Sequence, residues 1–512
     1  MTIAPRSKPV IRRLLCCAAV GIGLTTSAPA QAQDDRAITI ALNEDLDLID
    51  PCMAAQSNIG RVLLQNISET LTELNPADGS LTPRLATEWQ EGGDGTWTFK
   101  LRDGVTFSDG TEFTAADVVH SINRTTSDQL ICETGAKYFG GLDITAEALD
   151  DHTVSITADP AQPILPLLMS TLTIVPEETP MDEYTRNPIG TGPYVLSEWN
   201  VGQNLILDRR DDYWGETPEV TRATYVFRSD DAVRAAMVQT GEADIAPLIS
   251  EIDATNEATD FSYPNSETTY LRIDTMTAPL DDLRVRKALN LAVDREAFLG
   301  TLLPADTQLA TQIVVPTTAG TNESLVPPAF DPDQALQLLE EARADGVPVD
   351  TEIVLIGRTG LFANVTEVME ALTQMFEDVG FNVDLQMMDV AQWTEYYSKP
   401  FPDDGKPRIV AAMHDNNRGD PVFSMYFKYA CGGLQSATCN EDLDAMIAQA
   451  TEATGDERNE LWSQTFQKVQ EELVADVLLF HMVGFSRVAE RLDFRPSIAT
   501  NSELELAEIK FD

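Results

Sequence analysis

Histidine is scarce in this 512-residue sequence, with four copies, at positions 120, 152, 414 and 481. They are widely scattered, none belongs to a His-Glu-x-x-His pair, and no two cysteines form a Cys-x-x-Cys. The linear pattern therefore lacks the clustered ligands that a transition metal needs. A Gly-x-Ser-x-Gly turn is also missing, and carboxylates are too numerous for any pair to stand out as acid and base. Gly190-Thr191-Gly192 lacks the further glycine and the helix start of a phosphate loop. These absences leave an exported hydrolase without a nucleophile, and no cofactor, metal or enzymatic activity is expected. Positive charge is short too: 35 Lys and Arg stand against 83 Asp and Glu, a net −48. A negative field of that size argues against nucleic acid or anionic lipid as a partner.

Long apolar runs are missing except near the N-terminus. There, Arg6, Lys8, Arg12 and Arg13 precede the run Leu14 to Leu24, and Ala-x-Ala sites follow, with cleavage after Ala30 or Ala32. The run is too short to span a membrane, and its flanks are those of a secretory signal peptide over 1–32. Cutting after Ala32 removes four basic residues and no acids, leaving 480 residues with 31 basic against 83 acidic, a net −52. The expectation is an exported, soluble chain. Its length suits two to four domains, and its 43% apolar content suits globular ones.

Cys16 and Cys17 leave with the leader. The other four cysteines of an exported chain suggest two disulfides, for which sequence allows three pairings. Cys431 and Cys439 bracket a short Gly-rich loop that can close on itself, which leaves Cys52 for Cys132.

Periodicity points to a mixed α/β chain. Strand "AITIALNED" is followed by a helix around Gly60 to Thr70, and "TWTFKLRDGVTFSDGTEF" reads as successive hairpins at its two Asp-Gly turns. Thr114 caps a helix with Asp117 at its third position. A hairpin turning at Asn200-Val201-Gly202 precedes a strand–helix–strand unit, and a long amphipathic helix is expected from Leu280 to Leu303. The clearest unit is strand "EIVLIG", a helix bearing Val365, Val368, Met369, Leu372 and Phe376, and strand "NVDLQMM". Two C-terminal helices, near Asn440–Ala453 and Glu457–Leu473, precede strand "VLLFHMVGF".

The segments Leu81 to Arg124, "NPIGTGPYVLSEW", "AMVQTGEADI" and "LRIDTMTAPLDDLRVRKALNLAVDRE" occur in that order. Together they resemble the peptide/nickel/opine class of periplasmic solute-binding proteins of ABC transporters, solute-binding protein family 5. The resemblance covers essentially the whole chain after the leader. It implies an α/β, three-domain periplasmic binding protein of the dipeptide/oligopeptide-binding type, with two lobes, a hinge and an additional strand-rich domain. Domain I would comprise 36–70, 188–282 and 483–512, domain II the insertion 71–187, and domain III 283–482. It also implies a periplasmic monomer that hands a small peptide or peptide-like zwitterion to inner-membrane ABC permease subunits with cytoplasmic ATPases. A nickel or metal-chelate binder, or an opine binder, is the alternative within the same fold.

Candidate site residues lie where apolar strands turn polar. Ligands of open α/β sheets sit beyond the carboxyl ends of strands. Arg358 follows "EIVLIG", and the cluster His414, Asp415, Asn416 and Asp420 follows "RIVAAM". A guanidinium and a carboxylate at one sheet mouth can grip both ends of a zwitterion. The resemblance matches Asp415 to the carboxylate that binds a ligand's α-amino group in peptide-binding members. It matches Arg358 to the arginine that binds the ligand carboxylate, with about two extra residues in each loop. In nickel-binding members a histidine in this loop touches a metal complex, which makes His414 a candidate. Trp393 and Tyr396, with Tyr397 beside them, are expected to wall a side-chain pocket, against the bland reading of core packing at helical spacing.

Overall fold

The computed structural model of the protein describes residues 35–75, 80–92, 95–416 and 418–512. The leader expected over 1–32 lies outside them. In chain order the main strands of its large sheet are β1 (Ala37–Leu42), β2 (Tyr194–Asn200), β3 (Asn204–Arg209), β4 (Arg222–Phe227), β5 (Ile245–Pro247), β6 (Asp260–Ile273), β7 (Ile353–Arg358), β8 (Val383–Met388), β9 (Arg408–Asp415) and β10 (Asp476–Val488). Their spatial order is β8-β7-β9-β6-β10-β5-β1-β4-β3-β2. β6 and β10 are the longest, at 14 and 13 residues, and they join the two halves of the sheet. They pair antiparallel over two stretches, with the register broken between Pro264 and Thr268. Such a bulge re-aims the side chains beside it.

β7 and β9 are apolar without alternation because both their faces are covered. Ile353, Leu355, Ile409 and Ala411 enter one core, while Val354, Ile356, Val410 and Ala412 enter another. β7 and β8 run parallel, joined by helix Val365–Asp378, which buries Val368, Met369, Leu372 and Phe376. Each such side chain contributes about 1.5–3 kcal/mol by leaving water. A third core packs β1, β3 and β4 around Ile40, Leu205 and Tyr225.

A second, four-stranded antiparallel sheet contains Ala86–Glu91, Thr96–Leu101, Thr153–Asp159 and Asp143–Asp150, in that order. Its middle strand Thr96–Leu101 pairs on both sides with those neighbours rather than with the segment after Asp103-Gly104. Only the second expected hairpin forms, as a single bridge between Thr106 and Glu112 around Asp109-Gly110. Helix Ala115–Thr126 starts at the expected Thr114–Asp117 capping box.

Two helices are shorter than their periodicity suggests. The first, α1, is Ser57–Leu63 rather than Gly60 to Thr70. Asn66 donates its side-chain amide to the carbonyls of Arg61 and Leu504, and Gln65 adopts a φ of 58°. A side chain that bonds backbone carbonyls in this way competes with the next helical turn. The stretch Leu280 to Leu303 holds a helix only over Leu283–Leu291. There Arg295 takes the carbonyls of Asn290 and Val293 and closes the helix end. The structure joins Cys52 to Cys132 and Cys431 to Cys439.

Candidate functional site

The carboxyl ends of β1, β7 and β9 open on one cavity of about 410 Å³, within the range of small-molecule sites. Four helices add to its walls: α1, α2 (Glu133–Tyr138), α3 (Val390–Tyr397) and α4 (Val422–Tyr429). From the strand tips come Glu44, Arg358 and Asp415. From the helices come Arg61 on α1, Lys137 on α2, Trp393 and Tyr397 on α3, and Lys428 on α4.

Alternation along β9 separates His414 from Asp415. Asp415 pairs across the sheet with Glu267 of β6, just beyond the bulge, so these two carboxylates share a face. One Asp415 oxygen accepts from Ser266 Oγ; the other, Oδ2, is buried without a partner among the described residues. A buried acceptor with no donor costs about 1–3 kcal/mol, so Asp415 Oδ2 is primed for a ligand donor. Glu267 is held by Asn265 Nδ2 at 2.9 Å. Burial, reinforced by the Asp415 charge, pushes its carboxyl up to about 7.

Arg358 lies at the tip of β7. Its Nη2 reaches Glu44 Oε2 at 3.2 Å across the cavity, and its guanidinium sits 5.2 Å from the Trp393 ring centroid. Its Nε is buried and unpartnered among the described residues. Arg61 is similar: Nε bonds Thr500 O and Nη1 bonds Asn58 Oδ1, while Nη2 has no partner among the described residues. Cations and anions thus face the same space with bonding positions left open.

Trp393 and Tyr397, one helical turn apart, stack at 4.0 Å and both line the cavity. Trp393 is fixed by its Nε1–H donating to Ala411 O at 2.9 Å. Tyr396 turns the other way, with its ring against Arg408, and does not line the cavity. His414 borders it, but its Nε2 is engaged with Ser424 Oγ at 2.6 Å, and burial holds its pKa well below the usual value. Asn416 and Asp420 lie behind the wall. The Asn416 amide bonds Asp420 O and Ser424 Oγ, while Asp420 accepts from Val422 N–H and ion-pairs with Arg458 at 2.8 Å. Their geometry braces the entry to α4.

The family model for bacterial extracellular solute-binding proteins, family 5 (middle region), matches residues 80–436. The chain belongs to that family. This family 5 solute-binding protein is 27% identical over 462 residues to the dipeptide-binding protein of Escherichia coli strain K12, covering 82% of this chain and 85% of the relative. It is 31% identical over 335 residues to the nickel-binding periplasmic protein of the same strain, covering 59% and 63%. Among solved structures, a dipeptide binding protein from Pseudoalteromonas sp. SM9913, in complex with Met-Leu, superposes with a TM-score of 0.83. Its identity is 19%, and 93% of this chain and 100% of that chain are covered. That likeness establishes the shared α/β binding-protein fold.

Among the cavity-lining residues of the family 5 protein that escaped sequence reasoning are Arg61, Glu267, Lys137 and Lys428. For Glu267 a signal exists. Asn265-Ser266-Glu267-Thr268-Thr269 is a polar run leading into apolar Tyr270-Leu271, the mirror image of the polar end of β9. The other three sit on helices whose spacing does not distinguish a solvated cation from a cavity wall.

Proposed function

We propose that this chain is the periplasmic capture component of an ABC importer and that its solute is a small peptide or peptide-like zwitterion. The α-ammonium sits on Asp415 and the carboxylate on Arg358, with Trp393 and Tyr397 as apolar wall. The observation that carries this reading is Asp415 Oδ2, buried at a strand tip without a donor and facing a cavity that also presents Arg358. Binding is without chemistry, by closure of two lobes that the ligand stabilises through contacts made only when both walls meet. Domain I (36–70, 188–282, 483–512) and domain III (283–482) are the closing lobes, domain II (71–187) is the strand-rich insertion, and β6 and β10 are the connection that bends. The residues before Gln33 act as a cleaved export signal. The printed names of the dipeptide-binding and nickel-binding periplasmic relatives support both the compartment and the small-solute class.

Titration calorimetry with one dipeptide in free, N-acetylated and C-amidated forms tests the reading. Each block removes a charge-assisted contact, so each weakens binding by about 30-fold or more. Equal affinity for the free and N-acetylated forms removes Asp415 from the site.

A further inference from the structure

The helices α2 and α4 pack together through Tyr138 and Phe423, whose rings meet edge-on at 5.1 Å. This places two lysines on one wall of the cavity, Lys137 at 6% and Lys428 at 4% exposure. Lysine is almost never buried to this degree unless paired. Among the described residues, no carboxylate lies within ion-pair distance of either ammonium. Burial of Lys137 is opposed at longer range by Tyr138, Asp415 and Glu133, which leave its ammonium above the ordinary pKa, whereas at Lys428 the opposing charges do not outweigh burial. Glu133 is held by Gln56 Nε2 at 2.8 Å, and Asp476 accepts from Tyr429 Oη. Arg272, a third cation close by, bonds the carbonyls of Tyr396, Tyr397 and Gln435. Lys428 donates only to neutral oxygens, Tyr397 Oη and Gln435 Oε1.

We propose that this wall is an anion seat, in which Lys137 and Lys428 take a carboxylate carried on the ligand's side chain. The solute is then a small peptide containing an acidic residue. The proposal rests on the zwitterion reading above and adds a third charged contact to it. A buried cation without a counter-ion is costly, and a ligand carboxylate delivered into the same low-dielectric space removes that cost. Burial, together with the neighbouring Lys137 charge, holds the Lys428 ammonium well below its ordinary pKa. An arriving carboxylate opposes that bias.

The test is calorimetry on the oxidised, leaderless chain at pH 7 with Ala-Glu, Glu-Ala, Ala-Gln, Gln-Ala and free glutarate. At least one glutamyl peptide is expected to bind at least 30-fold tighter than its glutaminyl counterpart. Lys137→Met with Lys428→Met should abolish the preference, bringing the glutamyl-to-glutaminyl affinity ratio to within about threefold of one. Lys428→Arg keeps the charge and should keep the preference, which guards against a variant that fails to fold. Equal affinity for glutamyl and glutaminyl peptides overturns the anion seat and leaves the zwitterion reading intact. Lysine-dependent binding of glutarate with no peptide bound supports the seat and sinks the peptide reading. No binding of any of the five overturns both.

Discussion

The strand-tip wall and the helix wall of the cavity treat charge differently. At the strand tips each ionic group has a partner: Arg358 has Glu44, Asp415 has Ser266, Glu267 has Asn265, and Arg358 and Asp415 each keep one buried atom unpartnered among the described residues. On the helix wall Lys137 and Lys428 are buried with no carboxylate within ion-pair distance among the described residues. The tips set Arg358 against Glu44, Asp415 and Glu267, so they offer both signs of charge to a ligand charged at both ends. The helices set Arg61, Lys137 and Lys428 against Glu133, an excess of positive charge that suits a ligand bringing negative charge. On the two proposals above, one cavity separates recognition of a peptide's termini from recognition of its side chain.

The largest effect that could break this contrast comes from the strand tips. Asp415→Asn keeps the shape but removes the charge, and should weaken a free dipeptide about 30- to 1,000-fold. Arg358→Ala should cost the free acid far more than its C-terminal amide, and equal losses in a calorimetric comparison would place Arg358 outside the site. A smaller effect concerns Glu267. Its carboxyl is raised in the folded chain to about 7, so between about pH 4.5 and 7 the folded state holds a proton that the unfolded state has lost. The associated stability is complete below the unfolded value and is lost as pH rises through 7, on the order of 3 kcal/mol across that window. The ligand-free protein should therefore melt several degrees lower at pH 8 than at pH 5.5, and Glu267→Gln should flatten that slope in a thermal-melt series. The smallest effect is a null. Tyr396→Ala should leave affinity within about twofold, because its ring packs on Arg408 and away from the cavity. A tenfold loss would show that the α3 wall extends further than Trp393 and Tyr397.

The strand tips were legible in the sequence because a strand buried on both faces is a run of apolar residues, and its polar end breaks the pattern. Arg358 after "EIVLIG" and Asp415 after "RIVAAM" stand out for that reason. What the linear pattern could not supply was direction. His414 and Asp415 are adjacent in sequence, yet alternation sends the imidazole to Ser424 and the carboxylate to the face it shares with Glu267. Asn416 and Asp420 carry the same polar signal but brace α4, and Arg458 fixes Asp420 from a helix 38 residues away in sequence. The helix wall was illegible for a different reason. A lysine on a short helix of an acidic protein reads as a solvated face, and only the packing of α2 on α4 buries Lys137 and Lys428. The misjudged helix ends share a further cause: Asn66 and Arg295 capture backbone carbonyls through contacts whose partners are distant in sequence.

The bridge between Cys52 and Cys132 closes a loop of 80 residues, and a crosslink over that span contributes about 4 kcal/mol in the loop-closure picture. Cys52 adjoins Met53 and Cys132 adjoins Glu133, both of which line the cavity. The tether therefore anchors the start of the helix that carries Lys137. Protein produced in a reducing cytosol keeps every side chain named above but lacks that anchor, so the oxidation state of a preparation becomes part of any affinity measured on it.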